Sequence, residues 1–349
     1  MKTPGSLKSN LFLTESPLQV LSANEARDRF QSEHNILVVR RSGVERERNN
    51  QHIQQACRFA NWKPLCVAPI SESPLREILF QFSLFFRLRR YSINELFIGD
   101  FRSPWMQNVR STQRHKSCFL LDDGVVTIDV QKILLRSGKF RYRDSGGFGL
   151  RPLFRWLLDR IGVTEFSTNK PVHLFTAFDL HSDLHQMQKY LKNDYRTARK
   201  KSVLKTLIPG QCFHFGTKYS EAGFFSIETE IAFLNKVCSF YRNRNIEFIY
   251  IPHRDDCSTK ISRISEDLKC RIMPLDSPAE LFFLSERMIP QFASAAFSTA
   301  LVNISCFFPE IEASFFELPM SEVHPEKRIF VEGVYTYYRN LGFEVLQIN

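Results

Sequence analysis

At 349 residues the chain is long enough for two domains of ordinary size, each with its own core. A hydrophobic content of 43% beside 24% charged residues excludes a disordered chain. The net charge of +10 predicts an anionic partner or surface, whether nucleic acid, acidic lipid or an anionic glycan, without choosing among them.

Eight cysteines are scattered with no Cys-x-x-Cys pair, so neither a zinc site nor a disulfide framework is indicated. They read as reduced core thiols. The polar start Met1–Asn10 carries no signal-peptide apolar region, and no run of about 18 apolar residues occurs. A cytoplasmic protein is expected, at most peripheral on an inner membrane.

Leu11-Phe12-Leu13-Thr14 predicts a short buried strand, followed by Ser16 as N-cap and Pro17 at the first helical position. Leu18, Leu21, Ala23, Ala26 and Phe30 then mark a helix. No Gly-x-Gly-x-x-Gly accompanies this strand–turn–helix, so a dinucleotide fingerprint is missing. Ile36–Val39 and Leu65–Ala68 predict two further strands around a helix in 45–59. A helix over Leu75–Arg89, a strand over Glu95–Gly99 ending at Asp100, a short helix from Pro104 and a strand over Cys118–Leu121 follow. Such alternation predicts a parallel sheet flanked by helices. The chain holds 33 phenylalanines, many of which must be core, and runs such as Phe80-Gln81-Phe82-Ser83-Leu84-Phe85-Phe86 can also leave aromatic surface exposed.

The pattern weakens between Gln131 and Lys170. Lys139–Gly149 reads as an exposed connection, Leu153–Ile161 as a helix and Val172–Thr176 as an edge strand. A basic run follows, with Lys189, Lys192, Arg196, Arg199, Lys200, Lys201 and Lys205. It is either a solvated face or a contact for acidic lipid or phosphorylated glycan, at about 1 kcal/mol per residue near such a surface. A second α/β series begins near Leu207. Its strands are expected at Gln211–Phe215, Phe248–Ile251, Arg271–Met273 and Ala313–Leu318, and its helices at Ile227–Tyr241, Ser258–Leu268, from Ser277 and from Pro325. The small residues of 292–303 suit a helix N-terminus that approaches a ligand closely.

Two places at predicted strand ends carry candidate chemistry. Asp122-Asp123-Gly124 follows the fifth strand, and open α/β sheets hold their ligands at strand carboxyl ends. Asp-Gly is also a common turn dipeptide, and paired carboxylates can hold a hard cation, although no third ligand stands nearby. Phe248-Ile249-Tyr250-Ile251 is continuous β-former, Pro252 stops it, and His253 stands just beyond. A lone histidine there is either a polar loop cap or a ligand contact.

The motifs Ser-Pro-Leu-Gln-Val-Leu at 16–21, Asp-Asp-Gly at 122–124, Ile-Pro-His at 251–253 and Phe-Ser-Thr-Ala-Leu-Val-Asn at 297–303 together resemble bacterial sialyltransferases of the lipooligosaccharide and capsular polysialyltransferase families. The resemblance spans about Leu11 to Leu318. It implies a GT-B fold, two facing doubly wound Rossmann-like domains with a cleft between them. The implied layout is an acceptor-side domain over 1–170, a basic connection over 171–206, a donor domain over 207–330, and a terminal helix and tail over 331–349. The implied donor is CMP-sialic acid. Asp123 maps to the general base with Asp122 and Gly124 beside it, and His253 to a group near the donor phosphate. Glu280 maps to the ribose hydroxyls, Ser298 and Thr299 to the phosphate, and Ser16 supports the first half. Two departures stand out: Arg254 follows the histidine where the family has proline, and the hydroxyl pair is Ser-Thr in place of Ser-Ser.

The chemistry fits those residue types. A carboxylate can take the proton of an acceptor hydroxyl, and an imidazole, with an ordinary pKa near 6.5, can donate to a departing phosphate at neutral pH. Hydroxyls and N–H groups at a helix start add phosphate donors. Neither a metal nor a cofactor is expected. The alternatives are a GT-B transferase using another CMP-linked nonulosonic acid or a hexose nucleotide, and a non-catalytic basic module for nucleic acid or membrane. No nucleic-acid motif accompanies the charge, so nucleic acid is not expected as a partner.

Overall fold

The computed structural model describes residues 7–41, 47–71, 73–124, 126–140, 170–202, 204–254 and 256–348. The expected helix at Leu153–Ile161 and nearly all of the connection before it lie outside the described residues. The chain divides into two compact units, 1–198 and 199–349.

The first unit alternates strands β1 (Leu7–Thr14), β2 (His34–Arg41), β3 (Cys66–Pro69), β4 (Tyr91–Ile98) and β5 (Ser117–Leu120) with helices α1 (Pro17–Arg29), α2 (Glu47–Phe59), α3 (Pro74–Leu88) and α4 (Pro104–Thr112). After β5, α5 (Val126–Asp129) runs into a π-helical turn over Val130–Leu135. Strands β6 (Val172–Thr176) and β7 (Tyr190–Lys192) and the start of α6 (Arg196–Lys201) complete the unit. All seven strands pair in parallel in the order β3-β2-β1-β4-β5-β6-β7.

Two expectations change here. Val172–Thr176 is not an edge strand, because β7 pairs outside it. Two strands of the first sheet thus lie within 171–206, and the first unit runs on to Ala198. Fully buried Leu11, Phe12 and Leu13 on β1 and Leu37 and Val38 on β2 show why these segments are continuous apolar runs. Their sheet is covered on both faces.

The second unit repeats the plan with β8 (Thr206–Phe215), α7 (Ile227–Arg242), β9 (Glu247–Ile251), α8 (Ser258–Leu268), β10 (Arg271–Ile272), α9 (Ala279–Ser285), β11 (Met288–Ala295), α10 (Thr299–Phe307), β12 (Glu312–Phe316), α11 (Pro325–Asn340) and β13 (Val345–Leu346). The order β10-β9-β8-β11-β12-β13 is again all parallel. The terminal segment belongs to this unit, since β13 pairs with β12. In each sheet the winding reverses once, between β1 and β4 and between β8 and β11. Those reversals open crevices at the strand carboxyl ends. Among the described residues no helix is long and apolar enough to cross a membrane.

Candidate active site

In the first unit the chain leaves β1 through Glu15 and Ser16. Ser16 is extended and N-caps α1, its Oγ accepting from the Gln19 amide at 3.3 Å, with Pro17 opening the helix as expected. The same Oγ lies 3.4 Å from Asp123 Oδ1. Asp123 stands just past β5, after Leu121 and Asp122, and its own N–H donates to Thr127 Oγ1 at 2.9 Å. Gly124 turns the chain with a φ of 77°, a left-handed conformation that strains any side-chain-bearing residue.

The tightest hold on Asp123 comes from Gln19, whose Nε2 donates to Oδ1 at 2.7 Å. Gln19 Oε1 accepts from the Glu15 N–H at 2.7 Å. With its carbonyl committed to a backbone donor, the amide must present its NH₂ to the carboxylate. Glu15 in turn accepts from Ser103 Oγ at 2.8 Å and from Trp105 Nε1. Asp100, beyond β4, is bonded by Arg102 through its backbone N–H at 2.7 Å and its guanidinium at 3.0 Å. Three carboxylates thus converge at the ends of β1, β4 and β5. Burial, reinforced by the Asp100 charge, pushes the Asp123 carboxyl up to about 7, against the Gln19 hydrogen bond and Arg102. Burial also raises Glu15. A carboxyl poised near neutrality suits a general base.

Asp122, one residue earlier, points the other way. It is 1% exposed and accepts from Thr176 Oγ1, from the Ala177 N–H at 3.1 Å, from Asn193 Nδ2 at 3.1 Å and from Tyr195 OH at 3.2 Å. Burial raises its carboxyl to about 6 in spite of those donors. Both oxygens are committed, so Asp122 ties β5 to the ends of β6 and β7. Adjacent acids have opposite jobs, one locking the sheet and one facing the crevice.

Gly99 explains why Gln19 can reach. A Cβ built there would stand 2.1 Å from Gln19 Oε1. Gly99→Ala is therefore expected to displace the Gln19 amide and cut turnover by about tenfold, with a melting temperature changed by only a few degrees. Steady-state kinetics beside a thermal melt checks this, and unchanged kinetics would remove Gln19 from the site.

In the second unit, His253 is half-buried two residues beyond β9. Its N–H donates to Asp256 Oδ2 at 2.9 Å, and its carbonyl accepts from the Asp256 N–H at 2.9 Å. That tight turn rests on Lys260 of α8, which is 0% exposed. Its Nζ meets Asp256 Oδ1 at 3.2 Å, Glu221 Oε2 at 3.1 Å, Glu230 Oε1 at 2.6 Å and the Thr217 carbonyl at 3.0 Å. Burial alone would lower the ammonium pKa, but the charges of Glu230 and Asp256 leave it raised. Burial lifts Asp256 to about 6. The ammonium bonded by three carboxylates fixes the backbone that presents His253. Arg254 occupies the turn beside it and is half-buried.

Ser298 and Thr299 stand past β11. Ser298 is the N-cap residue of α10, and its side chain makes no cap hydrogen bond. The preceding Phe297 is pinned from β8's exit, its carbonyl by Thr217 Oγ1 at 3.1 Å and its N–H by Tyr219 OH at 3.2 Å. Glu280 is buried on α9 and accepts from Asn303 Nδ2 of α10 at 3.0 Å. Glu280 and the Ser298–Thr299 pair are thus linked through one helix.

Within their own units, the structure places Asp123 and Ser16 together, Glu280 with the α10 of Ser298 and Thr299, and His253 at a neighbouring strand end. Sequence reasoning did not single out Glu15, Gln19, Asp100, Asp256 or Lys260 for a role. Their signal was position alone: Glu15 directly follows β1, and Asp100 is separated from β4 by Gly99 alone, at the two strands where the sheet reverses. Of the basic run, Lys205 turns inward and donates to the Leu284 carbonyl at 3.1 Å, capping α9, and Arg196 lies 3.8 Å from Asp194. Lys189, Lys192, Arg199, Lys200 and Lys201 are exposed. Among the described residues no group of three or more His, Cys, Asp or Glu side chains could hold a metal ion.

No protein-family model matches the chain. No curated protein matches it either. Solved structures do resemble it. UDP-GlcNAc 2-epimerase from Methanocaldococcus jannaschii aligns with a TM-score of 0.50 at 10% identity, over 98% of this chain and 89% of that one. The Staphylococcus aureus MnaA–UDP co-structure gives 0.47 at 11% identity, over 96% and 87%. A glycosyltransferase from Rickettsia africae gives 0.45 at 7% identity, over 97% and 89%. At such identities the likeness speaks for fold alone, and with the two parallel sheets it places the chain in the GT-B fold class of paired Rossmann-like domains.

Proposed function

We propose that the protein is an inverting, metal-independent glycosyltransferase that moves sialic acid from CMP-sialic acid to a hydroxyl of a cell-surface glycan. The observation that carries this reading is Asp123, a carboxyl raised to about 7 at a strand end and aimed by Gln19. The acceptor hydroxyl gives its proton to Asp123 as its oxygen bonds to the anomeric carbon. The bond from that carbon to the phosphate oxygen breaks, and its electron pair leaves with CMP. Charge grows on the phosphate, where His253, Ser298, Thr299 and the first N–H groups of α10 act as donors. Arg254 adds positive charge beside them. Glu280 holds the ribose hydroxyls, and attack opposite the leaving CMP inverts the centre.

The choice of donor rests on the order and placement of the sialyltransferase-like motifs. Arg254, where that pattern has proline, favours a second reading: a transferase of the same chemistry using another nucleotide sugar. UDP-GlcNAc is the compound named for the Methanocaldococcus protein and is the natural competitor in a donor panel. Released nucleotide measured across CMP-sialic acid, another CMP-nonulosonate, UDP-GlcNAc and a nucleotide hexose, with lactose-type and oligosialic acceptors, separates the two. CMP release and a sialylated product from CMP-sialic acid alone are expected, undiminished by EDTA. Turnover of UDP-GlcNAc without turnover of CMP-sialic acid replaces the donor assignment. Loss in EDTA with rescue by a divalent ion overturns the metal-independent mechanism.

A further inference from the structure

Helix α3 covers one flank of the first sheet and is apolar on both of its faces. Leu84 and Leu88 are buried on its inner face. Leu75, Leu79 and Phe86 point outward at 60%, 59% and 57% exposure, with half-buried Phe82 between them. These four stand at i, i+4, i+7 and i+11, the spacing of a single helical face. Helix α2 on the same sheet behaves ordinarily, exposing Glu47, Arg48, Gln51, Gln54 and Arg58. Strand β3 is the sheet edge and adds exposed Val67, with exposed Ile70 just past its end.

Among the described residues of α3 and the two that follow it, the exposed charges are all positive. Arg76, Arg87, Arg89 and Arg90 are exposed within or just after α3. The helix's sole acid, Glu77, turns inward and pairs with the buried Arg40 at 3.1 Å. An apolar stripe fringed by arginines is the pattern of a helix lying in the interface of a bilayer, its apolar side chains among the acyl chains and its cations at anionic headgroups. A bilayer meets such arginines with negative charge as a continuous plane.

We propose that the outer face of α3 docks the protein on an anionic lipid bilayer. The exposed lysines and arginines of 189–205 add positive charge elsewhere on the chain without an apolar helical face of this length. The proposal is independent of the donor and of the reaction.

The test is co-sedimentation with sucrose-loaded vesicles, of phosphatidylglycerol and phosphatidylethanolamine in one arm and of phosphatidylcholine in the other. The full chain is expected to partition onto the anionic vesicles at least about tenfold better than onto the neutral ones. The double variant Leu79→Glu/Phe86→Glu should lose that binding by about tenfold or more. Arg89→Ser/Arg90→Ser should lose the preference for anionic lipid. Circular dichroism melts matching the wild type show that the variants fold. Wild-type protein left in the supernatant with anionic vesicles overturns the proposal, as do variants that sediment like wild type. A concentration-dependent dimer in sedimentation velocity, abolished by the same Leu79/Phe86 changes in a protein that ignores vesicles, reassigns the face to self-association.

Discussion

Asp123→Asn is expected to lower turnover by about 10²-fold or more while leaving the fold intact, because the amide keeps the shape of the carboxyl but cannot accept the acceptor's proton. The loss should fall on kcat, since the proton moves only as the glycosidic bond forms. The pH profile gives a second readout. A base with a carboxyl near 7 is mostly protonated below neutrality, so kcat/KM should fall about tenfold per pH unit on the acid side of an inflection near 7. The Gln19 hydrogen bond favours the ionised form, so its removal must move that inflection upward. Gln19→Leu, assayed from pH 5 to 9, should therefore show an acid limb displaced to higher pH. Near wild-type transfer by Asp123→Asn would remove the residue from the reaction. An unmoved limb in Gln19→Leu would assign the titration to another group.

His253→Ala is expected to cost about as much, roughly 10²-fold, in line with loss of a proton donor to the leaving group. The negative charge on the departing phosphate exceeds that of the bound donor, so the imidazole matters more in the transition state than in the ground state. The signature is a fall in kcat with a donor KM changed by less than about threefold. A variant with raised KM and intact kcat would make His253 a binding group only. Asp256→Asn keeps the side-chain acceptor for the His253 N–H while removing the charge that faces Lys260, and it separates a displaced turn from a lost imidazole. If His253 acts through its ring, Asp256→Asn retains far more activity than His253→Ala.

Much of the fold was legible because buried parallel strands are continuous apolar runs and their helices carry clear stops. Ser16-Pro17 told the start of α1 by capping chemistry alone. Where reading failed, long-range pairing had overridden local preference. Ala293-Ser294-Ala295-Ala296 has helical propensity, yet Met288–Ala295 is strand β11, held between β8 and β12. Tyr190–Lys192 is too short and too basic to announce a strand, and it forms one because β6 offers it an edge.

The site divides along the same line. Asp123 and His253 were visible because each ends an obvious strand run. Glu15 and Asp100 end strands too, but their nearness to Asp123 depends on β4 lying between β1 and β5, a fact of strand order that no local pattern encodes. Lys260 read as an ordinary polar residue of an amphipathic helix, and only the fold gathers Glu221, Glu230 and Asp256 around it.

Gly99 is not required by its own backbone, which lies outside the left-handed region; it is required by the side chain of residue 19. Positions 19 and 99 are therefore sterically coupled, and relatives of this chain are expected to vary them together. A chain that keeps the long amide must keep the glycine, and one that gains a methyl at 99 has to shorten residue 19 and find another way to aim its carboxylate. In relatives of this chain the 19/99 pairing would report, from sequence alone, which of them still hold the acid after the fifth strand in the same grip.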